Sequence, residues 1–232
     1  FHYLASINEK KANEFINMIS QYDTKLKSTG KATDYYCIDN LIDLQKLTGI
    51  DYKLDYNGST QTVWSTESDH RNIIFLANHN AHFDHFDPHD LFHDRLSLVL
   101  DRSKTNKPVD EGCAYLYGGS WGLSWPEIFK VFMKEIASNS ETDWTKAKET
   151  PLMFKTNGYN NQADYIINAL LIQKIEKEKG FSAVLELLNI GPFEKGNEIY
   201  YNVLEKLTGI NRNTYNSAVW TLIRQEKANQ KL

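Results

Sequence analysis

No apolar run in this sequence approaches the roughly 18 residues that a helix needs to span a membrane. An excess of basic residues is also lacking, because Lys and Arg are scattered along the chain and the formal net charge is −4. Proteins that bind nucleic acid usually concentrate Lys and Arg in a patch or stripe. We therefore expect neither a membrane span in this chain nor a nucleic-acid partner.

Cysteine is scarce as well: the two examples are Cys37 and Cys113, and neither belongs to a Cys-x-x-Cys motif. This pattern excludes a cysteine-rich zinc finger and a dithiol redox site. The two cysteines could form one disulfide or remain as two buried thiols, and the sequence leaves both alternatives open.

The remaining composition is ordinary for a globular protein of 232 residues, with 41% hydrophobic and 24% charged residues. A chain of this length can bury a substantial core. In its first third, short apolar runs and turn signals predict strands. We expect a polar helix over residues 5–29, strands over 35–38 and 73–77, and between them a helix over 39–47 and a hairpin over 51–67 around Asn57-Gly58.

After residue 87 the apolar residues recur at helical spacing, which predicts a mainly helical lobe. The order of these signals predicts an α+β fold, with a small mixed β-sheet in the N-terminal third followed by the helical lobe. Residues 138–160 are predicted to be polar and irregular. The expected helices cover residues 87–101, 110–117, 125–136, 165–179, 181–188, 198–207 and 214–227.

The first helix of the helical lobe carries the most informative residues. Asp87 is a favourable N-cap, and Pro88 suits the first helical position because its missing N–H is not needed there. His89 and His93 lie four residues apart, so both imidazoles project from one face of the helix. Two histidines in this arrangement form a ready bidentate site for zinc.

A third candidate ligand follows at a workable distance. Glu111 lies 18 residues after His93, near the start of the next predicted helix. A helix, a turn and a second helix running back can bring this carboxylate to the two imidazoles. Two His and one Glu leave a fourth position for water, which is typical of a catalytic rather than a structural zinc site.

These residues resemble the motif of the gluzincin (peptidase MA-like) zinc metallopeptidases. The family has His-Glu-x-x-His on one helix and Glu-x-x-Ala on the next. This chain has His89-Asp90-Leu91-Phe92-His93 followed by Glu111-Gly112-Cys113-Ala114. The resemblance extends to the predicted strands, helix and hairpin over 33–77 and to the C-terminal helices, so it covers most of residues 33–225.

The resemblance implies a zincin-like fold, with the active helix between the sheet lobe and the helical lobe. On this basis we expect an N-terminal helix over residues 1–32 and a single catalytic domain over 33–232. That domain would consist of a sheet lobe over 33–87 and a helical lobe over 88–232.

The resemblance also implies a function, that of a mono-zinc metallopeptidase which hydrolyses peptide bonds through a water molecule activated by the metal. One zinc ion would be held by His89, His93 and Glu111, and Asp90 would stand where the family has its general base. Tyr159 and Tyr165 are the two candidates for the tyrosine that stabilises the oxyanion. The strand over 73–77 would be an edge strand along which an extended peptide or protein substrate pairs.

A cellular location follows from the same resemblance together with the first residue. The chain begins at Phe1 rather than at methionine. Similar proteins are secreted or belong to the cell envelope. We therefore expect a secreted, periplasmic or envelope-associated protein from which a signal peptide has been removed.

The chain departs from the family pattern at Asp90, where the family has glutamate. Aspartate is shorter by one methylene group, so its carboxylate falls short by roughly 1.5 Å of the position from which it would accept a proton. Either the site has adapted to aspartate, or another group serves as the base, or the protein keeps zinc and has lost most of its activity. The alternative function is therefore a weak or inactive gluzincin-like domain that binds a peptide or protein partner, and a third is a zinc-stabilised structural domain.

Other polar and aromatic residues near the motif allow two interpretations each. The histidines could form a second metal site, although a polar loop is favoured. The aspartates could orient the ligand imidazoles or cap helices. The tryptophans could line a cleft with Gly118-Gly119 or form a surface cluster. These residues are His79, His82 and His85; Asp84, Asp87 and Asp94; and Trp121 and Trp125.

Overall fold

The computed structural model describes most of the chain and has the predicted α+β fold with a mainly helical body. Residues 40–47 of the helix expected over 39–47, and the Asn57-Gly58 turn, lie outside the described residues. No helix in the described part is both long and apolar enough to cross a membrane. The described residues are 1–28, 33–39, 63–68, 71–76, 80–138, 141–192 and 194–232.

The chain divides into two compact units, Phe1–Phe86 and Asp87–Leu232. The border lies one residue before the position at which the sequence predicts the change from sheet lobe to helical lobe. The N-terminal helix, which the sequence analysis set apart over residues 1–32, lies within the first unit.

The first unit contains a helix and a four-stranded sheet. Asn8 caps the helix, because its side chain accepts a hydrogen bond from the backbone N–H of Lys11. The strand order is β1-β2-β4-β3; β2 pairs in parallel with β1 and β4, whereas β3 and β4 are antiparallel. The predicted small mixed sheet is thus confirmed. The elements are β1 (His2–Tyr3), α1 (Glu9–Leu26), β2 (Thr33–Cys37), β3 (Val63–Ser68) and β4 (Arg71–Leu76).

The expectation that the strand over 73–77 is an edge strand is wrong. Ile74 in β4 is paired with Tyr35 of β2 on one side and with Ser65 of β3 on the other. The reason is that residues 63–68, which the sequence analysis assigned to a hairpin over 51–67, pair with β4. A strand hydrogen-bonded on both sides has no free backbone groups for a peptide.

The second unit is built from helices and one hairpin. Helix α2 begins at Pro88 as predicted but ends at Leu96, five residues before the predicted end. Most of the other predicted helices agree with the structure to within one or two residues. The elements are α2 (Pro88–Leu96), a short 3-10 turn (Arg102–Lys104), α3 (Lys107–Gly118), α4 (Trp125–Glu135), α5 (Trp144–Glu149), β5 (Met153–Thr156), β6 (Tyr159–Gln162), α6 (Ala163–Lys179), α7 (Phe181–Leu188), α8 (Glu198–Thr208) and α9 (Tyr215–Asn229).

Helix α6 is the core of this unit, and α3 packs directly on it. A Cβ added at Gly112 of α3 would lie 2.8 Å from the Cβ of Asn168 and 2.9 Å from the backbone nitrogen of Ala169. Asn168 is itself fully buried; its amide donates to the Asp164 carbonyl, and its oxygen accepts a hydrogen bond from Tyr200. The glycine at position 112 therefore allows α3 to pack closely against α6, and this contact positions the start of α3.

The prediction that residues 138–160 are irregular is wrong, because they contain α5 and most of the β5–β6 hairpin. Although the segment is polar, one of its residues belongs to a buried ion pair. The Lys148 ammonium lies 3.2 Å from the Asp164 carboxylate and 3.8 Å from the centre of the Tyr200 ring. The hairpin turn is Asn157-Gly158, with φ of 50° and 85°. Two positive φ angles in a two-residue loop are typical of a type I′ turn.

Replacing Gly112 by alanine should destabilise the protein by about 1–3 kcal/mol, because the new methyl group would press on the backbone of α6. The higher helix propensity of alanine, worth about 1 kcal/mol, acts in the opposite direction and does not relieve the contact. Urea unfolding followed by circular dichroism measures the change. The control Lys130→Ala, on the exposed face of α4, should shift stability by less than about 0.5 kcal/mol. An unchanged midpoint for Gly112→Ala would contradict the close packing.

Candidate metal centre

The first ligand candidate, His89, is positioned by the start of its own helix, α2, and by the end of α3. The carboxylate of Asp87 caps α2 by accepting from the backbone N–H of His89 at 2.9 Å. The ring nitrogen Nδ1 of His89 lies 2.8 Å from the carbonyl oxygen of Gly119, just after α3. A Cβ at Gly118 would lie 2.6 Å from the His89 backbone nitrogen, so a glycine is needed where α3 meets α2.

The second candidate, His93, is oriented by Asp110. Its Nδ1 lies 2.8 Å from Oδ1 of Asp110, the residue before Glu111 on α3. The sequence analysis did not select Asp110 for this task. Of the aspartates it did name, Asp87 caps α2 and Asp84 accepts a hydrogen bond from Asn8. The sequence feature that could have identified Asp110 is its position directly before Glu111, which places two carboxylates side by side in the sequence.

These two hydrogen bonds determine which nitrogen of each ring carries a proton. A carbonyl oxygen and a carboxylate can only accept, so Nδ1 is the protonated nitrogen in both imidazoles. In a neutral ring the other nitrogen, Nε2, then carries a lone pair. The two Nε2 atoms lie 3.1 Å apart and face each other. Two lone pairs at this distance repel unless a proton or a metal ion lies between them.

Glu111 completes the group. Its Oε2 lies 3.4 Å from Nε2 of His89 and 4.0 Å from Nε2 of His93. Ligands placed tetrahedrally about 2.0–2.1 Å from a zinc ion are roughly 3.3 Å from one another, so the donor set and its spacing fit zinc. Among the described residues, these three side chains form the group whose potential ligand atoms all lie within 4.8 Å of one another.

The site is partly exposed, with 13% of each imidazole and 19% of the Glu111 side chain accessible to solvent. Burial lowers the pKa of His89, but the hydrogen bond and negative charge of Glu111 outweigh it, so the pKa lies above its usual value. Burial raises the pKa of Glu111, but the hydrogen bond from His89 and the charges of both histidines lower it overall. The arrangement therefore favours a positive charge among these three side chains.

Asp90, the candidate general base, lies on α2 between the two histidines. Burial raises the pKa of its carboxyl group, and the negative charge of Asp87 raises it further. The charges of His89 and His93 act in the opposite direction, so Asp90 is electrostatically coupled to the ligands. A raised pKa is the direction expected of a carboxylate that exchanges protons near neutral pH.

The two candidate tyrosines have different surroundings. Tyr159 is 51% exposed and stacks on Trp121, with ring centres 4.0 Å apart. Tyr165 packs against Tyr115 at 5.7 Å; burial raises its pKa to about 12, with the charge of Glu111 contributing. The sequence analysis missed Tyr115, whose ring lies 5.3 Å from that of His89. Its position four residues after Glu111 on the same face of α3 was the available signal.

Of the other histidines that were considered for a metal site, the two that the structure describes do not belong to this group of three. His82 bonds through Nδ1 to Ser6, and His85 is exposed. His79 lies outside the described residues. Both cysteines are buried and are not joined in a disulfide, and burial raises the pKa of the Cys37 thiol to about 11.

The two tryptophans differ. Trp125 is only 8% exposed, and its indole donates to Glu226, so it belongs to the packing of the helices. Trp121 is 45% exposed and has a positive φ of 51°. A left-handed backbone costs a residue with a side chain about 1–2 kcal/mol. Of the two, Trp121 is the one that faces solvent.

Comparisons with family models, with curated proteins and with solved structures found no match to this chain. The chemistry of the centre therefore rests on its own residues and their geometry.

Replacing Asp110 by asparagine should weaken zinc binding by about 10- to 100-fold, because His93 would lose the carboxylate that orients its ring. Competition with a chromophoric chelator measures the affinity. The control Asp101→Asn alters an exposed carboxylate bonded to Ser103 and should leave the affinity unchanged. Equal affinities for the two variants would show that Asp110 does not support a ligand.

Zinc affinity should also fall as the pH is lowered, because an imidazole must lose its proton to bind a metal ion. The pKa of His89 is raised above 6.5, so the fall should begin above pH 6.5 rather than below it. Calorimetry at pH 7 in buffers of different ionisation enthalpy should detect proton release on binding. An affinity that is constant between pH 8 and pH 6 would contradict the assignment of His89.

Proposed function

We propose that this chain is a mono-zinc metallopeptidase with His89, His93 and Glu111 as ligands. The observation that supports it is the convergence of the two Nε2 atoms and one carboxylate, with the Nδ1 atom of each imidazole bonded to an acceptor. This donor set provides three protein ligands and leaves a fourth position free, as in catalytic zinc sites. The partly exposed side chains leave the position accessible.

When bound, zinc supplies Lewis-acid chemistry, lowering the pKa of a water molecule and polarising a carbonyl group. The chain itself supplies the proton acceptor, for which Asp90 is the candidate. What supports this role is its coupling to both histidines and the raised pKa of its carboxyl group. Tyr165 is favoured over Tyr159 as the oxyanion donor, because it lies close enough to Glu111 for the negative charge of that carboxylate to raise its pKa.

The alternative is a weak or inactive gluzincin-like domain that binds a peptide or protein partner. One observation favours it: the side chain at position 90 is aspartate, whose reach is shorter by one methylene group than that of glutamate. The two functions share the metal centre and differ in the rate of hydrolysis. Measuring metal content and activity separately therefore distinguishes them.

The central experiment determines zinc by elemental analysis and then measures cleavage of a mixed peptide library. We expect about one zinc ion per chain and cleavage that stops with a chelator and returns with added zinc. Glu111→Gln should lose both the metal and the activity. The matched control Glu127→Gln changes a carboxylate bonded to Ser124 at the start of α4 and should lose neither. Less than about half a zinc ion per chain would overturn the metal assignment.

Replacing Asp90 by glutamate should raise kcat by up to about 100-fold, because the longer side chain restores the reach of the proton acceptor. Zinc content should stay the same, since Asp90 is not one of the three ligands. The control Asp101→Glu should leave kcat unchanged. An unaltered kcat for Asp90→Glu, with zinc bound, would show that the reach of this carboxylate does not limit hydrolysis.

A further inference from the structure

The hairpin β5–β6 has a specific pattern of free backbone groups. The N–H of Ala163 donates to the carbonyl of Leu152 at 2.8 Å, directly beyond the last residues of the two strands. In an antiparallel ladder, residue pairs that exchange hydrogen bonds alternate with pairs that do not. Asn160 belongs to a pair of the second kind. The register is Met153↔Gln162, Phe154↔Asn161, Lys155↔Asn160 and Thr156↔Tyr159.

The N–H and C=O of Asn160 and the N–H of Gln162 therefore point away from β5. Within the described part of the chain no hydrogen-bond partner is found for these three groups. Asn160 is exposed. The outer edge of β5 is different, because the N–H of Lys155 lies 3.4 Å from the carboxylate of Glu135 on α4. The free edge of the hairpin is thus the β6 edge.

This edge runs beside the candidate metal centre. The Tyr115 hydroxyl group donates to the side chain of Asn161 in β6, and the Tyr115 ring lies against His89. At the other end of β6, Tyr159 stacks on Trp121. Trp121 lies two residues after Gly119, whose carbonyl accepts a hydrogen bond from His89. Strand β6 is therefore connected to the surroundings of His89 directly through Tyr115 and indirectly through Trp121.

Trp121 adds a second observation that points to a ligand. Its ring is exposed and lies parallel to that of Tyr159, with an angle of 6° between the planes. Its backbone is left-handed, and Asn157 of the hairpin turn donates to its carbonyl at 2.9 Å. Strained backbone of this kind clusters where a protein contacts another molecule, so the exposed ring of Trp121 is a candidate contact for a ligand.

We infer that the β6 edge and the Trp121–Tyr159 pair together bind the substrate as an extended peptide carrying a large aromatic side chain. The peptide pairs by its backbone with Asn160 and Gln162, as in β-strand addition. Its aromatic side chain packs against the Trp121–Tyr159 pair. The inference rests on the proposed function and specifies the substrate class for the same site.

Two proline variants test the backbone pairing. Asn160→Pro removes the free N–H from the β6 edge, and Lys155→Pro removes the N–H of the facing residue on the opposite edge. Proline is tolerated on edge strands, and circular dichroism verifies that both variants fold. The probe is a fluorescein-labelled heptapeptide of alanine and glycine with one central phenylalanine, measured by anisotropy in the presence of a chelator so that it stays intact.

We expect Asn160→Pro to weaken binding of this peptide by about 2- to 10-fold, the effect of one lost hydrogen bond. Lys155→Pro should bind like the unaltered protein. Equal binding by the two variants, or no binding by the unaltered protein, would overturn the inference. So would a dimer in sedimentation that Asn160→Pro dissociates, because a second copy would then cover the edge.

The aromatic contact is tested with Trp121→Asn, which removes the ring while asparagine tolerates the left-handed backbone. The unaltered protein should bind the phenylalanine peptide several-fold more tightly than the same peptide with a central alanine. Trp121→Asn should bind both equally with unchanged zinc content, and equal discrimination by the variant would overturn the aromatic contact. If the peptides bind as expected but none is cleaved with zinc present, the proposed function fails and the binding surface stands.

Discussion

The candidate metal centre depends on how closely helix α3 approaches its two neighbours in the second unit. Gly118 lies against the backbone at the start of α2, where a Cβ would come within 2.6 Å of Pro88 and His89. Gly112 lies against α6 in the same way. Because α3 is held on two sides by backbone contacts, the side chains beside and between these glycines have little freedom to shift. Asp110 and Glu111 directly precede Gly112, and Tyr115 lies between the two glycines, so one packing constraint places a candidate ligand, the partner of another and an aromatic neighbour.

The second constraint is electrostatic and follows from the first. The carbonyl of Gly119 and the carboxylate of Asp110 keep protons on the outer nitrogens of the two imidazoles, so the inner nitrogens need a cation between them. The raised pKa of His89 and the lowered pKa of Glu111 reflect the same preference, because both shifts favour a protonated imidazole beside an ionised carboxylate. In the proposed function a divalent metal ion would take the place of a proton at this location, and its higher charge would satisfy all three side chains at once.

Much of this arrangement can be predicted from local sequence, and the exceptions have physical reasons. Asp87-Pro88 indicates where α2 starts, and the four-residue spacing puts both histidines on one face. The strand pairing of β4 could not be predicted, because partners in a sheet are set by long-range contacts rather than by local pattern. The β5–β6 hairpin was missed although Asn157-Gly158 is the same turn dipeptide that was recognised at Asn57-Gly58. Its polar surroundings suggested an exposed loop, whereas Lys148 is buried in an ion pair with Asp164.

The shorter side chain at position 90 and the proposed peptide-binding edge bear on two different steps, proton transfer and substrate binding. Asp90 is fixed by α2, which meets α3 at Gly118. A peptide on the β6 edge would pair with the two residues that flank Asn161, and Asn161 is bonded to Tyr115 of α3. Helix α3 would therefore position both the proton acceptor and the substrate. Because the acceptor takes its proton from the water that zinc would bind, the reach of Asp90 would limit the rate of hydrolysis whichever peptide is held. The β6 edge would accordingly determine which peptide binds, and the side chain at position 90 would determine how fast it is cleaved.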